Sequence, residues 1–357
     1  MRKVLNLING PRTLENGKVF WILVGIVCII VIVYPFFGSA FGASNYSLFF
    51  LYVPLALGLS LLWGFDGVLS FGQMAFFGIG GYTYGVVAIN LAPNGGILTL
   101  VAGLVGLIIA AVVAAVFGYF MFYGGASGWI IPLLTLVLSL VLATFLGQTA
   151  GYQWSIGNAQ LGGYNGMNGI PSIALGSGDS FSFFYSVVFI SLLVYVGLRT
   201  LVNSRYGAVL VAIREDTLRT RLLGHHVDRR QVEVFTIAAV LAALSGVLYT
   251  AWGNYIDPSQ ADLSRAALPV IWVAVGGRRS LTAVVLSTVL LGWLTDQLSV
   301  SGSQYALVVN GALLLAVMLF FPAGIFYTIA RRLQQRRKPQ AVQPAPAAPR
   351  GPVQVQK

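Results

Sequence analysis

The segment Arg199-Thr-Leu-Val-Asn-Ser-Arg205-Tyr-Gly-Ala-Val-Leu-Val-Ala-Ile-Arg214-Glu-Asp-Thr-Leu-Arg219-Thr-Arg221-Leu-Leu-Gly224-His-His-Val-Asp-Arg229-Arg230 decides how the chain is read. It holds seven of the 21 Lys and Arg residues of a chain in which 9% of residues are charged. No Lys or Arg occurs between positions 19 and 198. An island of charge in such a background needs water around it, and short loops rich in Lys and Arg stay in the cytoplasm. Residues 199–230 are therefore expected as a cytoplasmic loop that divides the chain and orients it.

The apolar remainder sets the fold class. Hydrophobic residues make up 57% of the 357 and mean hydropathy is +0.82. Uncharged runs of 18 residues or more recur, and about 20 residues at 1.5 Å each cross the hydrocarbon core. The expectation is an all-α, polytopic membrane helix bundle of about ten crossings, some short or Gly-broken. The spans fall at 19–37, 46–63, 68–89, 97–123, 129–148, 181–198, 232–252, 266–275 (too short to cross unaided), 280–298 and 305–327. Residues 1–18, an expected cytoplasmic N-terminus, and 331–357 flank a transmembrane domain 19–330; the 331–357 tail is basic, then rich in Pro, Gln and Ala, a composition that reads as disordered. The first span is too long for a signal-peptide core and reads as an uncleaved helix.

Parity supports this division. With a cytoplasmic N-terminus, six spans return the 199–230 loop to the cytoplasm, and four more return the C-terminus there. Arg278 and Arg279 also fall inside. The net charge of +11 is thus expected to anchor the protein at the lipid surface rather than to bind nucleic acid. Cys28, the single cysteine, excludes an internal disulfide.

Catalysis finds no support. No GxxxxGK[ST] loop occurs, and the four lysines lie at positions 3, 18, 338 and 357. His225 and His226 are adjacent on a charged loop, where solvated surface histidines are the ordinary case. No Cys/His cluster suits a metal, so neither catalytic residues, metal nor cofactor is expected. Three acidic residues, Asp66, Glu233 and Asp296, border the spans within reach of an interface, where snorkelling or capping explains them better than ion relay does. The third span is crowded with small and neutral-polar residues from Ser70, Gly72 and Gln73 to Gly78, Gly80, Gly81, Tyr82 and Thr83. They serve either close helix packing or the lining of a path for a neutral or zwitterionic solute. Gly64-Phe-Asp-Gly67 breaks the preceding span, and Ser60–Gly85 and Gly246–Gly292 each place a long helix beside a Gly-broken or short segment. Gly-interrupted segments in both halves of a transporter point to its pathway.

The charged loop has an inner pattern. Residues 206–213 suit a short helix with Ala208, Val211 and Ala212 on one side. Asp216 or Thr217 suits the cap of a second helix that Gly224 would stop.

These motifs resemble those of LivM-type permeases, the membrane subunits of importers for branched-chain amino acids and, in a close branch, urea. The resemblance rests on Arg205-Tyr-Gly-Ala-Val-Leu-Val-Ala-Ile-Arg-Glu-Asp running to Gly224, Leu57-Gly-Leu-Ser-Leu-Leu-Trp-Gly64, and Gly67-Val-Leu-Ser-Phe-Gly-Gln-Met. It extends to Gly162-Gly-Tyr-Asn-Gly-Met-Asn-Gly-Ile-Pro171, Trp272-Val-Ala-Val-Gly-Gly-Arg278 and Phe320-Phe-Pro-Ala-Gly324. It implies an ABC-importer permease in the inner membrane, with a homologous second permease, two cytoplasmic ATP-binding subunits and an extracytoplasmic solute-binding protein. It further implies that Arg205, Gly207, Arg214, Glu215 and Gly224 form the ATPase-coupling loop, and that Ser70, Gly72, Gln73 and Asn165 lie near the translocation pathway or its outer mouth. Asp66 departs from the uncharged residue expected there, as a cap or a solute contact. A stand-alone secondary transporter or channel is the competing class.

Overall fold

In a computed structural model, residues 40–126, 128–175 and 179–300 are described, with the isolated positions 25, 308, 311 and 312. The expected spans at 19–37 and 305–327, and both terminal segments, lie outside this set. The helices are α1 Ala40–Leu51, α2 Val53–Leu59 continuing into a π-helical segment Ser60–Asp66, α3 Gln73–Leu91, α4 Leu98–Tyr123, α5 Ile130–Gly147 and α6 Ser180–Asn203. The charged loop forms α7 Arg205–Glu215 and α8 Thr217–Leu222; α9 Val227–Gly253, α10 Leu263–Gly276 and α11 Leu281–Val300 follow. The protein is an all-α polytopic membrane bundle.

Seven helical stretches are long and apolar enough to cross a membrane: Gly42–Asp66, Gln73–Leu91, Leu98–Tyr123, Ile130–Gly147, Ser180–Asn203, Val227–Gly253 and Leu281–Leu298. Each coincides with an expected span. The short segment is α10, whose 14 residues reach about 21 Å at 1.5 Å per residue, less than the hydrocarbon core. A buried turn at Pro258–Ala261 leads into it.

The centre of the bundle is α9, and glycine lets its neighbours approach it. A Cβ on Gly246 would sit 1.9 Å from the Phe77 carbonyl oxygen of α3, and one on Gly80 would sit 2.5 Å from that of Ala243. Gly106 of α4 presses on Gly80, and Gly58 of α2 on Ala238. Small residues permit such contact where lipid supplies no hydrophobic drive between helices. Beside this crossing Tyr52 stacks on Phe77 with centroids 5.9 Å apart and meets Trp272 at 5.2 Å. Near Pro54, the Leu55 N–H donates to the Ser245 hydroxyl of α9 at 3.1 Å, so a backbone donor at a helix start is met inside the bundle.

The two ends differ. At one lie the charged loop, the π-helical segment and the α10–α11 connection. At the other lies the 149–179 loop, whose one acid is Asp179 and which holds two-residue strands: β1 Ser155–Ile156 pairs β2 Ala159–Gln160, and β3 Met167–Asn168 pairs β4 Tyr255–Ile256 after α9. Asn254, left-handed at φ 52°, donates to the Ile170 carbonyl at 2.7 Å and locks this loop to the end of α9. Exposed aromatics mark both ends: Tyr119, Phe120, Tyr123 and Trp129 at the first, Tyr152 and Tyr164 at the second. Aromatic belts of this kind sit at membrane–water interfaces.

Adding a methyl at Gly246 forces α3 and α9 apart. Gly246→Ala is expected to destabilise the solubilised protein by about 1–3 kcal/mol, read as a lowered thermal midpoint. Gly253→Ala, with open space at its Cβ position, should leave the midpoint unchanged or raise it.

Candidate functional site: the junction of two broken segments and the charged loop

The break at Gly64–Gly67 is a helix end that other segments complete. The π-helical turn stops at Gly67, which takes φ 91°, a conformation suited to glycine. A Cβ on Gly64 would lie 1.7 Å from the Arg278 carbonyl oxygen, to which the Ser60 hydroxyl donates at 3.1 Å. The Arg278 guanidinium lies 5.6 Å from the centroid of the Trp63 ring. The two Gly-rich breaks, Gly64–Gly67 and Gly276–Arg279, therefore pack on each other.

Helix α7 closes the junction. Gly207 is required at its start, because a Cβ there would fall 2.0 Å from the Val202 carbonyl oxygen. Its inner face is Gly207, Leu210 and Ile213, at i, i+3 and i+6. The expected face of Ala208, Val211 and Ala212 is only partly buried. Leu210 and Ile213 carry more apolar area than the alanines, and they decide the rotation. At the last turn Arg214 lies over Gly67, with its Cγ 2.7 Å from where a Cβ would be. One guanidinium nitrogen donates to the Gly64 carbonyl and two others reach Glu215.

Helix α8 is capped as expected. Asp216 accepts from the Arg219 N–H at 2.8 Å, and Gly224 takes φ 87° one position past the C-cap, its N–H bonded to the Arg221 carbonyl. The arginines here pair locally: Arg219 with Asp216, Arg221 with Asp228 at 2.7 Å, and Arg229 and Arg230 with Glu233. Arg205 is exposed at the start of α7. Leu218, Leu222 and Leu223 are 69%, 81% and 73% exposed, so α8 is an apolar tip on a charged loop. His225 and His226 lie exposed beside it.

Arg199 departs from expectation. It was assigned to the aqueous loop, yet it is 1% exposed within α6, where it donates to the Tyr195 hydroxyl at 2.6 Å. That hydroxyl also bonds Thr282 of α11 at 2.7 Å. A buried guanidinium is tolerated where hydrogen bonds meet it; the solvated loop begins after it.

Asp66 ends the π-helical segment at 2% exposure, and neither carboxylate oxygen has a hydrogen-bond partner among the described residues. The amide of Gln231, in the first turns of α9, is the side chain that acts on it. The buried Tyr206 hydroxyl of α7 also lacks a partner among the described residues. Burial pushes this phenol up, Glu233 adds to the effect, Arg230 opposes it and Asp66 adds again. Neither Tyr206 nor Gln231 was picked out from the sequence. The signal available was a polar residue on the inward face of each helix. A cavity of 580 Å³ is lined by Asp66, Gln231, Arg214 and Arg279 on its polar side and by Phe122 and Ile131 on its apolar side.

The four expected pathway residues divide between the ends. Ser70 and Gln73 are buried just past the break; Ser70 accepts from the Gly72 N–H, while both amide atoms of Gln73 lack partners among the described residues. Gly72 serves packing, since its Cβ would lie 2.9 Å from the Thr135 carbonyl oxygen of α5. Asn165 is exposed in the 149–179 loop, beyond the far end of α3, whose 19 residues span about 28 Å.

Fold and junction define a multi-pass membrane protein whose two interrupted segments meet under a compact charged loop. Residues 43–318 match the family described as branched-chain amino acid transport system / permease component, and the chain belongs to that family. It is similar to the high-affinity branched-chain amino acid transport system permease protein LivM of Escherichia coli K12, at 26% identity over 91% of this chain and 80% of the relative. The probable branched-chain amino acid transport permease protein LivM of Methanocaldococcus jannaschii is 26% identical over 78% of this chain and 90% of its own length. The E. coli K12 permease protein LivH is 27% identical over 77% and 90%. No solved structure matches.

Arg214 connects three segments, so its removal should loosen the helix end. Arg214→Gln is expected to raise amide hydrogen exchange across residues 60–67 by roughly tenfold or more. The hydrogen bond and charge of Arg214, with a smaller contribution from Arg279, hold the Glu215 carboxyl below its usual range. A carboxylate depressed in the folded state stabilises it above the unfolded pKa, and that contribution is lost as pH falls through the lower folded value. Glu215, followed by carbon NMR, should titrate below the usual glutamate range in the native protein and return toward it in Arg214→Gln.

Proposed function

We propose that the chain is the permease subunit of an ABC importer that carries branched-chain amino acids into the cytoplasm. ATP would be hydrolysed on two separate cytoplasmic subunits. A homologous second permease would complete the path, and an extracytoplasmic solute-binding protein would deliver the solute. The charged loop and both termini face the cytoplasm of a bacterial inner membrane, as the basic clusters favour. Asn165 then lies at the outer mouth, and Ser70 and Gln73 lie on the inner half of the pathway.

One observation carries the reading: α7 is keyed into the bundle end, while α8 leaves three leucines in water beside it. A surface patch of this kind on a charged loop marks a docking site. Here the occupant is the ATP-binding subunit, with α8 as the contact and α7 as the lever. Arg214 and Glu215 transmit the movement to the break, Gly207 allows the α6–α7 corner, and Gly224 ends the contact helix. Arg205 stands at the start of the lever. The names of the relatives support branched-chain amino acids as solute.

The test is uptake of labelled leucine into proteoliposomes holding the permease pair and ATPase subunits, with binding protein supplied outside. ATP-dependent leucine uptake is the expected result. Leu222→Arg should abolish copurification of the ATPase subunits and cut uptake at least tenfold, consistent with loss of an interface anchor worth 2 kcal/mol or more, while the permease stays in the membrane. Uptake of urea in place of leucine would reassign the solute. Uptake without ATPase subunits would replace the reading with a stand-alone transporter.

A further inference from the structure

A buried ionisable side chain with unmet hydrogen-bonding capacity calls for a physical explanation, and Asp66 is such a group. It is 2% exposed, and neither oxygen has a hydrogen bond to a described residue. A carboxylate offers about four acceptor positions, so the Gln231 amide that acts on it leaves most of them open. Asp66 also lines the 580 Å³ cavity under the charged loop.

The opposite charge stands close by. Arg214 crosses the residue next to Asp66, its Cγ 2.7 Å from where a Cβ on Gly67 would be. Its guanidinium bonds the Gly64 carbonyl and Glu215, and a nitrogen of Arg279 lies 3.9 Å from the same Glu215 oxygen. That is too long for a hydrogen bond, so Arg279 is held at the junction by charge and keeps N–H donors to offer. Both arginines line the cavity with Asp66 and Gln231, and Phe122 and Ile131 form its apolar side.

An acid, guanidinium groups and an apolar wall around one space match an α-amino acid with an aliphatic side chain. The ammonium would compensate Asp66, and the carboxylate would take charge-assisted hydrogen bonds from Arg279. A branched side chain would lie on Phe122 and Ile131. A plain anion would leave Asp66 uncompensated, and a plain cation would face the arginines. The volume falls within the roughly 300–1,000 Å³ of small-molecule sites.

We propose that this cavity is a cytoplasmic binding site for the transported branched-chain amino acid, through which solute already in the cytoplasm slows further import. The inference rests on the proposed importer function and adds a regulatory site to it. The cavity walls come from the broken helix end, α7, the start of α9 and the α10–α11 connection. A ligand that bridges them stabilises this arrangement of loop and bundle over any other. It therefore holds back the movement of α7 that ATP hydrolysis must drive.

The experiment uses the assembled complex of permease pair and ATPase subunits. Labelled leucine is first titrated onto it with neither solute-binding protein nor ATP present. Saturable binding is expected, weakened at least tenfold by Asp66→Asn and by Arg279→Gln, the scale of one hydrogen bond to a charged group. Leucinamide, which lacks the carboxylate, and 4-methylpentanoate, which lacks the ammonium, should each compete about tenfold less well than leucine. In proteoliposomes, leucine preloaded on the cytoplasmic side should slow the ATP hydrolysis that loaded binding protein stimulates. Arg279→Gln should need about tenfold more internal leucine for the same fractional inhibition.

No saturable binding, native affinity in both variants, or equal competition by 4-methylpentanoate overturns the site while leaving the importer reading intact. Binding without inhibition by internal leucine overturns the regulatory role. If Asp66→Asn does not accumulate in the membrane, Arg279→Gln decides the question, since that side chain is 46% exposed. A wild-type complex without ATP-dependent uptake would instead refute the underlying function, and the first titration would still read the site.

Discussion

A helix that stops inside an apolar bundle leaves carbonyl oxygens that lipid cannot satisfy. At Gly64 this constraint is met from outside the helix: Arg214, 150 positions later in sequence, supplies the donor. Ser60 meets the Arg278 carbonyl across the same junction. The first half of the bundle is therefore not self-sufficient. Its interrupted helix is completed by the loop and by the break in the second half. Hydrogen bonds of this sort are directional, so displacing α7 without disturbing the break would leave an unpaired carbonyl. The loop can move only as part of the junction, which makes α7 suited to act as a lever.

The charge of the loop, obvious in the sequence, is only partly offset locally: its acids are Glu215, Asp216 and Asp228, against seven arginines. Arg219 and Arg221 pair with Asp216 and Asp228 of the loop, and Arg229 and Arg230 share Glu233 of α9. Exposed pairs of this kind add little stability, with a median of about 0–1 kcal/mol. Their effect is to fix the shape of a short loop. The apolar tip at Leu218, Leu222 and Leu223 is then presented on a defined support, and Arg214, partly buried between α7 and the break, links that support to the bundle.

Much of this was legible in the sequence. Runs of apolar residues gave the spans, because membrane thickness fixes their length. Asp216 and Gly224 announced a helix start and stop because capping and left-handed backbone are local properties. What failed depended on distant partners. Arg199 read as solvated because nothing near it in sequence shows that Tyr195 and Thr282 bridge α6 to α11 beside it. The sequence pattern placed Ala208, Val211 and Ala212 on one side of α7 without saying which side is buried, and only the surface below selects Gly207, Leu210 and Ile213. The resemblance implied places near the pathway or its outer mouth for Ser70, Gln73 and Asn165, and the length of α3 sets Asn165 apart from the other two.

The glycines of the third span show how one pattern supports two readings until distances are known. Gly80 touches Ala243, Gly72 touches Thr135, and Gly246 of α9 returns the contact to Phe77. Backbones this close leave no room for a solute between α3, α5 and α9 along that face. The small residues are taken up by packing, and a solute path must follow polar side chains that packing does not use. Two such side chains are Asp66, within the break, and Gln73, just past it; both are buried without a geometric hydrogen bond among the described residues. Both lie at the end of the bundle where α7 docks, so the polar groups that packing leaves over and the charged loop share one junction.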